Sequence, residues 1–423
     1  MDPIKRWMVM TVLCFSGGII FMLPFLREVY YIPMQDAFGY TNTEMGLMMS
    51  LFGLVSLITY FPGGWLADRF SPRKLMASGL LATGLAGFYF ATFPSYTVSL
   101  FIHAFWGGCV SLVFWGAMIK ATRNWAPASE QGKAFGILES GRGVAETLSS
   151  SLFLLVFAWL GSNADGLAQV IKLFAATNVF LAVMTWLVID DEHSQLPDEL
   201  ELDETAPAKA GWSDVVAVLK MPEVWLISII VLTAYSAYWG SYYFTPYATD
   251  AFGLSVTLGA AIGVGKMYLK PAAALFAGIL ADKVGVSKAV LGFFIVLIVG
   301  FSVFGFLPGG PAMVGVMLAT VVVVSMGIFA LRGIYFALIE EGGIPKSMTG
   351  TAAGVISAIG FTPDVFMPLI GGVFLDNFEG VVGYQYFYLV IAALCVIGAI
   401  AAAIMLGKIN KLKSGSTLSN YSV

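Results

Sequence analysis

Charged residues are scarce in this sequence: Asp, Glu, Lys and Arg together make up 11% of its 423 residues, whereas a soluble globular domain carries about 25%. Histidine occurs only twice and cysteine three times. Cys14, Cys109 and Cys395 lie in apolar stretches without a C-x-x-C spacing, which argues against a zinc site or a disulfide framework. No P-loop and no nucleophile-base pair with a recognisable spacing occurs either. We therefore expect no cofactor, no metal, no enzymatic activity and no nucleic-acid partner.

Apolar residues are abundant instead, at 58% of the chain with a mean hydropathy of +0.85. Apolar runs of about 20 residues predict an all-α membrane protein with roughly twelve spans. In the first half we expect helices near 7–32, 44–67, 74–93, 97–124, 133–160 and 167–189. In the second half we expect them near 222–248, 255–281, 288–307, 312–340, 348–375 and 383–407.

The polar segments divide the chain into four parts: two six-helix bundles at 1–189 and 221–407, an acidic linker at 190–220 and a tail at 408–423. Within the linker, 212–219 is predicted to form a short amphipathic helix at the membrane surface. Lysine and arginine concentrate in the loops of one side, which predicts that both termini are cytoplasmic. We expect a multi-pass protein of a bacterial inner membrane.

One short phrase occurs twice, about half a chain apart, as Gly64-Trp65-Leu66-Ala67-Asp68-Arg69 and Gly278-Ile279-Leu280-Ala281-Asp282-Lys283. Such a turn needs glycine where helices touch, an acid at a helix end and cations on the cytoplasmic side. We interpret it as a packing and gating motif. Its members are Gly64, Asp68, Arg69, Arg73, Gly278, Asp282 and Lys283.

The duplicated loop resembles that of the major facilitator superfamily, and the resemblance extends over essentially the whole chain. It implies two pseudo-symmetric bundles that rock around a central site. The segments Asn124–Gly132 and Gly350–Gly354 are similar to the organophosphate:phosphate antiporter and organic-anion branch. That branch binds its anion with basic residues on the first, fifth and seventh helices. Arg27 lies near the first of these positions and Arg142 at the second, while the seventh helix carries tyrosines, among them Tyr238 and Tyr242.

Several charges fall inside predicted spans, where each costs roughly 2.5 to 3.5 kcal/mol on insertion scales and is a candidate for function. The cations, which outnumber the acids by one, favour an anionic substrate. The candidate substrate-binding residues are Arg27, Arg142, Lys266, Lys270, Tyr238, Tyr242 and Arg332, and the candidate proton-coupling residues are Glu139, Glu146 and Asp364.

Each of these charges also has a purely structural interpretation. Glu139, Arg142 and Glu146 share one helix face and could neutralise each other as a ladder. Lys266 and Lys270 lie one turn apart, so an acid is expected near them, and Asp364 is the best candidate in the chain. Arg27 could extend to the membrane interface and Arg332 could be structural.

These observations together predict a carrier for a small organic anion, such as a sugar acid, sulfonate, carboxylate or sugar phosphate, with protons as the coupling ion. Exchange against a second anion is one alternative. A proton-driven exporter of hydrophobic compounds is another, although the fifth helix lacks the Gly-Pro-x-x-Gly-Gly element typical of that class. A non-transporting receptor is a third. We expect a monomer.

Overall fold

The structure is a computed structural model and describes residues 3–127, 130–190, 212–345 and 348–419. Within these ranges all regular elements are helices. The first half consists of α1 (Pro3–Ile19), α2 (Arg27–Phe38), α3 (Asn42–Arg69), α4 (Pro72–Phe90), α5 (Tyr96–Gly108), a π-helical stretch (Cys109–Trp115), α6 (Gly116–Trp125), α7 (Gln131–Trp159) and α8 (Ala164–Val188).

The second half begins with a short helix and continues with longer ones. It consists of α9 (Trp212–Leu219), α10 (Pro222–Ser241), α11 (Phe244–Asp250), α12 (Val256–Met267), α13 (Leu269–Val284), α14 (Val286–Phe306), α15 (Val314–Ile334), α16 (Leu338–Glu341), α17 (Thr349–Gly360), α18 (Pro363–Asn377) and α19 (Val381–Ser419). Single 3₁₀ turns at Pro311–Met313 and Tyr335–Ala337 flank α15.

These bounds confirm the predicted helices 44–67 and 167–189 to within a few residues, as α3 and α8 show. The helices predicted as continuous at 7–32, 222–248, 255–281 and 348–375 are each interrupted in the structure. Helix α9 confirms the predicted short helix at 212–219. The helix predicted to end near 407 continues to Ser419. Residues 191–211 of the predicted linker and 420–423 of the predicted tail lie outside the described part of the chain.

Proline explains where the long helices of the second half are interrupted. Pro246 and Pro271 have no N–H to donate to the carbonyl four residues earlier, and the helices break next to those positions, at Tyr242 and after Met267. The residue before a proline is disfavoured in α conformation, and α17 ends three residues before Pro363.

In the first half, Pro24 likewise lacks an N–H for a helical hydrogen bond, and it lies in the turn between α1 and α2.

The described residues divide into two compact units, and the boundaries after Phe244, Met267 and Pro363 fall at these proline breaks. Unit 1 contains the described residues up to 190 together with Thr245–Met267 and Asp364–Asn377. Unit 2 contains the described residues from 212 to Phe244, Tyr268–Pro363 and those from Phe378 onward. Parts of the second half of the chain, namely most of α11, all of α12 and most of α18, thus pack within unit 1.

Large apolar side chains cover much of the outside of the helices, for example Phe61, which is 90% exposed, and Trp159, which is 84% exposed. Nine helical segments of the described chain are long and apolar enough to cross a membrane. Both facts are typical of helices surrounded by lipid.

We call the end of unit 1 where α2 gives way to α3 the outer end, because the sequence predicts that it lies opposite a cytoplasmic N-terminus. At this end α3 packs against α18 through glycine. A Cβ built on Gly46 would lie 2.3 Å from the carbonyl oxygen of Pro368, and one on Gly372 would lie 2.3 Å from that of Asn42. The two helices approach each other more closely than any larger residue at these positions permits.

Candidate functional site

Arg142 on α7 lies at the centre of the first candidate site, within unit 1. Its Nη1 donates to Glu139 at 2.6 Å, and its Nε donates to the carbonyl of Gly17 at 3.1 Å. The guanidinium carbon lies 5.0 Å from the centre of the Trp115 ring and 5.7 Å from that of Phe21. The Arg142 side chain is 16% exposed and that of Glu139 is 62% exposed. Because an exposed ion pair is weak, an incoming anion can compete with Glu139 for the guanidinium.

Two local features create the space for this arginine. A Cβ on Gly17 would lie 2.8 Å from Cδ of Arg142, and one on Gly18 would lie 2.7 Å from its carbonyl oxygen. Trp115 is the last residue of the π-helical stretch, a conformation that is frequent at functional sites. The ion pair between Arg142 and Glu139 supports the ladder hypothesis for these two residues.

Arg332 on α15 lies at the centre of the second candidate site, within unit 2. Its guanidinium carbon lies 3.9 Å from the centre of the Tyr238 ring and 5.5 Å from that of Tyr235. Both distances are within the range of cation-π contacts. Its Nη1 is shielded from solvent and has no hydrogen-bond partner among the described residues. The geometry leaves one donor of this cation unsatisfied.

Tyr238 and Tyr242 add hydroxyl groups to the second site. The hydroxyl of Tyr242 donates to that of Tyr238 at 3.1 Å, and their ring centres are 5.1 Å apart. The spacing of four residues on α10 and its continuation places the two rings next to each other. A guanidinium beside a pair of phenols can bind an anion that also carries hydroxyl groups.

Lys266 forms a buried ion pair at the outer end of unit 1. Its Nζ lies 2.8 Å from Oε1 of Glu28, and the two side chains are 1% and 6% exposed, respectively. Glu28 lies in the first turn of α2 and Lys266 in the last turn of α12. The sequence had favoured Asp364 as the acid nearest this lysine, and the structure adds Glu28 as a direct partner.

The remaining charged candidates lie on three different helices. Arg27 is 2% exposed and donates to the carbonyl of Met45 at 3.0 Å, so it is buried and does not extend to the membrane interface. Asp364 opens α18 in unit 1, whereas Lys270 follows the break at Tyr268 and belongs to unit 2. The break places the two lysines of the predicted pair in different units.

The gating motif differs from its prediction in one respect. The expectation that Gly64 and Gly278 lie at helix contacts is wrong: a Cβ on either would meet no atom within 4 Å among the described residues. The contact is made by the preceding residue, since a Cβ on Gly63 would lie 2.4 Å from the carbonyl oxygen of Ser111. One residue turns a helix by about 100°, so neighbouring glycines face different sides.

The charged members of the motif are at the helix ends. Asp68, Arg69, Asp282 and Lys283 are exposed. Arg73 packs on the ring of Trp186, with 4.5 Å between the guanidinium carbon and the ring centre. These positions agree with a solvent-facing loop, and the proposed gating role stays a prediction.

A comparison with known protein families identifies the family to which this chain belongs. The family profile described as Major Facilitator Superfamily matches residues 7–363. The chain belongs to the Major Facilitator Superfamily. The resemblance seen in the duplicated loop is thereby confirmed for most of the chain.

Two relatives from Escherichia coli K12 are similar over nearly their whole length. The inner membrane protein YihN is 29% identical over 97% of both chains, and the inner membrane protein YqcE is 30% identical over 91% of both. These matches support a multi-pass protein of a bacterial inner membrane. Shorter stretches match a probable galactarate/D-glucarate transporter, GudP of Bacillus subtilis, at 26% over 40% of this chain and 39% of the relative. They also match SauU of Cupriavidus necator, a probable sulfoacetate transporter, at 26% over 37% and 36%.

Solved structures show the same superfamily fold. A bacterial homologue of the human lysosomal transporter Spinster, solved in an inward-facing and unoccupied conformation, superposes with a TM-score of 0.77. The match covers 97% of this chain and 98% of that one, at 13% identity. At such low identity the likeness establishes the fold alone.

Sequence reasoning missed the aromatic residues around Arg142, namely Phe21 and Trp115, because nothing in the sequence links them to α7. It also did not identify Glu28 as the partner of Lys266.

Proposed function

We propose that the protein is a secondary transporter that moves a small organic anion across the bacterial inner membrane together with protons. In this proposal it has twelve spans in two six-helix bundles, residues 1–189 and 221–407, and both termini are cytoplasmic. Two cytoplasmic termini require an even number of spans. The two bundles would rock around a central site, as in other members of the superfamily.

The unsatisfied donor of Arg332 is the observation that carries the proposal. A buried N–H without an acceptor costs about 1–3 kcal/mol, more in a charged group. Cation-π contact with Tyr238 offsets part of this cost but supplies no acceptor in the plane of the guanidinium. A carboxylate, sulfonate or phosphate oxygen would accept a charge-assisted hydrogen bond from this N–H of Arg332.

Arg142 adds a second cation, and it comes from the other half of the sequence. Its neighbours are again aromatic, and its ion-pair partner Glu139 is largely exposed. Each of the two arginines packs on aromatic rings, an arrangement that suits a substrate with an acidic group and a sugar-like or short carbon skeleton. The probable substrates named for GudP and SauU, an aldarate and a sulfonate, fit this description.

Proton coupling is the proposed source of energy because acids accompany the cations within the helices. Glu139, Glu146 and Asp364 remain candidates for this role. An anion exchanger would use the same arginines without a proton. An exporter of hydrophobic compounds would need neither arginine.

A binding experiment on purified protein tests the proposal. Thermal unfolding is measured with D-glucarate, sulfoacetate and glucose 6-phosphate, and with D-glucose as the neutral control. We expect at least one anion to raise the unfolding temperature and glucose to leave it unchanged. The same measurement is repeated on Arg142→Gln and Arg332→Gln.

The expected loss follows from the cost of the charged hydrogen bonds. A contact of about 1.5–3 kcal/mol corresponds to roughly a tenfold to hundredfold weaker affinity for each arginine variant. Arg123→Gln, which removes an exposed arginine at the end of α6, should bind like the wild type. Anion binding that persists unchanged in both site variants, or stabilisation by hydrophobic cations only, would refute the anion site.

A further inference from the structure

Three tyrosines form a row on α10 and the turn that follows it, within unit 2. Tyr235, Tyr238 and Tyr242 are three and four residues apart, a spacing that places side chains on the same face of a helix. The ring centres are 5.7 Å apart between Tyr235 and Tyr238 and 5.1 Å apart between Tyr238 and Tyr242. We call these three residues the tyrosine row.

The guanidinium of Arg332 packs on the middle ring of the tyrosine row, 3.9 Å from the ring centre of Tyr238. A fourth tyrosine, Tyr335, lies in the turn directly after α15, and all four tyrosines interact electrostatically with Arg332. An anion that binds to Arg332 therefore lies beside phenol groups.

The two kinds of side chain at this site have different hydrogen-bonding capacities. A guanidinium only donates, so it suits the oxygens of an acidic group, which only accept. A phenol hydroxyl both donates and accepts, as does the hydroxyl of an alcohol. Arg332 is thus matched to the acidic group of a ligand, and the tyrosine row is matched to its hydroxyl groups.

The hydrogen bond within the row has a direction. The hydroxyl of Tyr242 donates to that of Tyr238 at 3.1 Å. Tyr238 accepts this bond through an oxygen lone pair, so its own hydrogen is directed away from Tyr242. A hydroxyl that accepts one hydrogen bond is polarised and becomes a stronger donor. Tyr242 therefore orients and strengthens the donor of Tyr238.

Exposure separates the roles of the two tyrosines. Tyr238 and Arg332 are both partly exposed. Tyr242 is buried at 4% exposure, and its ring packs on that of Trp239 with 4.6 Å between the ring centres. A ligand from the aqueous side reaches Tyr238 and Arg332 before it reaches Tyr242.

We propose that Tyr238 binds a hydroxyl group of the substrate while Arg332 binds its acidic group, and that Tyr242 is a positioning residue that orients the Tyr238 hydroxyl. This inference rests on the proposed anion transport. It narrows the substrate class from small organic anions in general to hydroxylated ones, such as sugar acids and hydroxysulfonates.

The selectivity comes from the cost of desolvation. A ligand without a hydroxyl displaces water from the accessible side of Tyr238 and supplies no hydrogen bond in return. A polar group that loses water without gaining a partner is penalised, and sites that bind a substrate hydroxyl discriminate against analogues that lack it. The anion without hydroxyl groups should therefore bind more weakly, although its charge is the same.

Pairs of ligands that differ only in hydroxyl groups test the inference on the purified full-length protein. The pairs are D-glucarate and adipate, glycerate and propionate, and isethionate and ethanesulfonate. Isothermal titration calorimetry gives the Kd of each ligand, and the readout is the Kd of the unhydroxylated member divided by that of the hydroxylated one. We expect this ratio to be about ten or more in the wild type for at least one pair.

Three variants assign the ratio to individual groups. Tyr238→Phe keeps the ring beside Arg332 and removes the hydroxyl, so the ratio should fall below about three while the unhydroxylated anion binds as before. Tyr242→Phe should lower the ratio by a smaller factor. Arg332→Gln should weaken both members of a pair at least about tenfold and leave their ratio unchanged.

Tyr386→Phe is the matched control, because Tyr386 lies on α19 and is 43% exposed. It should keep both Kd values. A purely structural role of Tyr238 would change both Kd values of a pair together and leave the ratio at its wild-type value.

The outcomes separate this inference from the proposed function. If the wild type binds both members of every pair equally, or if Tyr238→Phe keeps the wild-type ratio, the inference is refuted and the anion site stands. If no anion of any pair binds, both fail. The wild-type ratios and Tyr242→Phe keep the test decisive if Tyr238→Phe does not fold.

Discussion

Replacing Gly53 by alanine is the sharpest test of how the outer end is closed. Gly53 lies on α3 opposite the start of α18, and both belong to unit 1. A Cβ at this position would lie 2.5 Å from the carbonyl oxygen of Asp364, 2.7 Å from its carbonyl carbon and 2.9 Å from its Cβ. Carbon contacts settle at about 3.5–4.0 Å, so the new methyl group is roughly 1 Å too close.

The atoms that the methyl group would meet are mostly backbone, so a side-chain rotation cannot relieve the contact. Overpacking of this kind costs about 1–3 kcal/mol. The higher helix propensity of alanine offsets up to about 1 kcal/mol of this cost. The closed outer end should therefore lose up to about 2 kcal/mol, which lowers the ratio of closed to open molecules by up to about 30-fold.

Gly64→Ala is the matched control, because it lies on the same helix and its Cβ would meet no atom within 4 Å among the described residues. It should be neutral or stabilising by about 0.5–1 kcal/mol. Thermal unfolding of the two variants measures the difference. A Gly53→Ala protein that unfolds at the same temperature as Gly64→Ala would refute the close packing of α3 on α18.

Two helix caps give further predictions. Asp376 accepts from the backbone amides of Asn42 and Thr43, at 3.0 and 2.7 Å, at the start of α3, so Asp376→Asn should weaken the packing of α18 on α3 by about 1 kcal/mol and lower the unfolding temperature. Its control, the exposed Glu379→Gln, should leave the unfolding temperature unchanged. Glu341 accepts from the amide and hydroxyl of Ser287, at 2.7 and 2.6 Å, in the first turn of α14. Glu341→Gln should therefore lower the unfolding temperature, whereas Glu340→Gln, one residue earlier and exposed, should not.

Much of the fold could be predicted from the sequence because it depends on local chemistry. Apolar runs of sufficient length must form helices in a membrane, where every backbone N–H and C=O needs an internal partner. Prolines such as Pro271 and Pro363 interrupt helices through their own missing N–H and their effect on adjacent residues. The three cysteines, which the sequence places in apolar stretches, are all buried.

From the sequence, the candidate sites could be predicted only as a set of charged residues inside membrane spans, where each charge costs free energy. The sequence identified Arg142, Lys266 and Arg332 because any ion within a span is expensive. It did not identify Trp115 as the neighbour of Arg142, since a π-helical stretch shifts the direction of every side chain after it. It also placed the helix contact at Gly64 where the structure uses Gly63.

The sequence by itself determined the helices, their breaks and the family of this protein. Only the tertiary structure decided which charges meet, as with Glu28 and Lys266, which lie more than two hundred residues apart in the chain. The physical reason is that lipid is as apolar as the protein interior. A helix in a membrane is therefore apolar on both its lipid-facing and its protein-facing sides, so hydrophobic periodicity does not reveal which face packs against which neighbour.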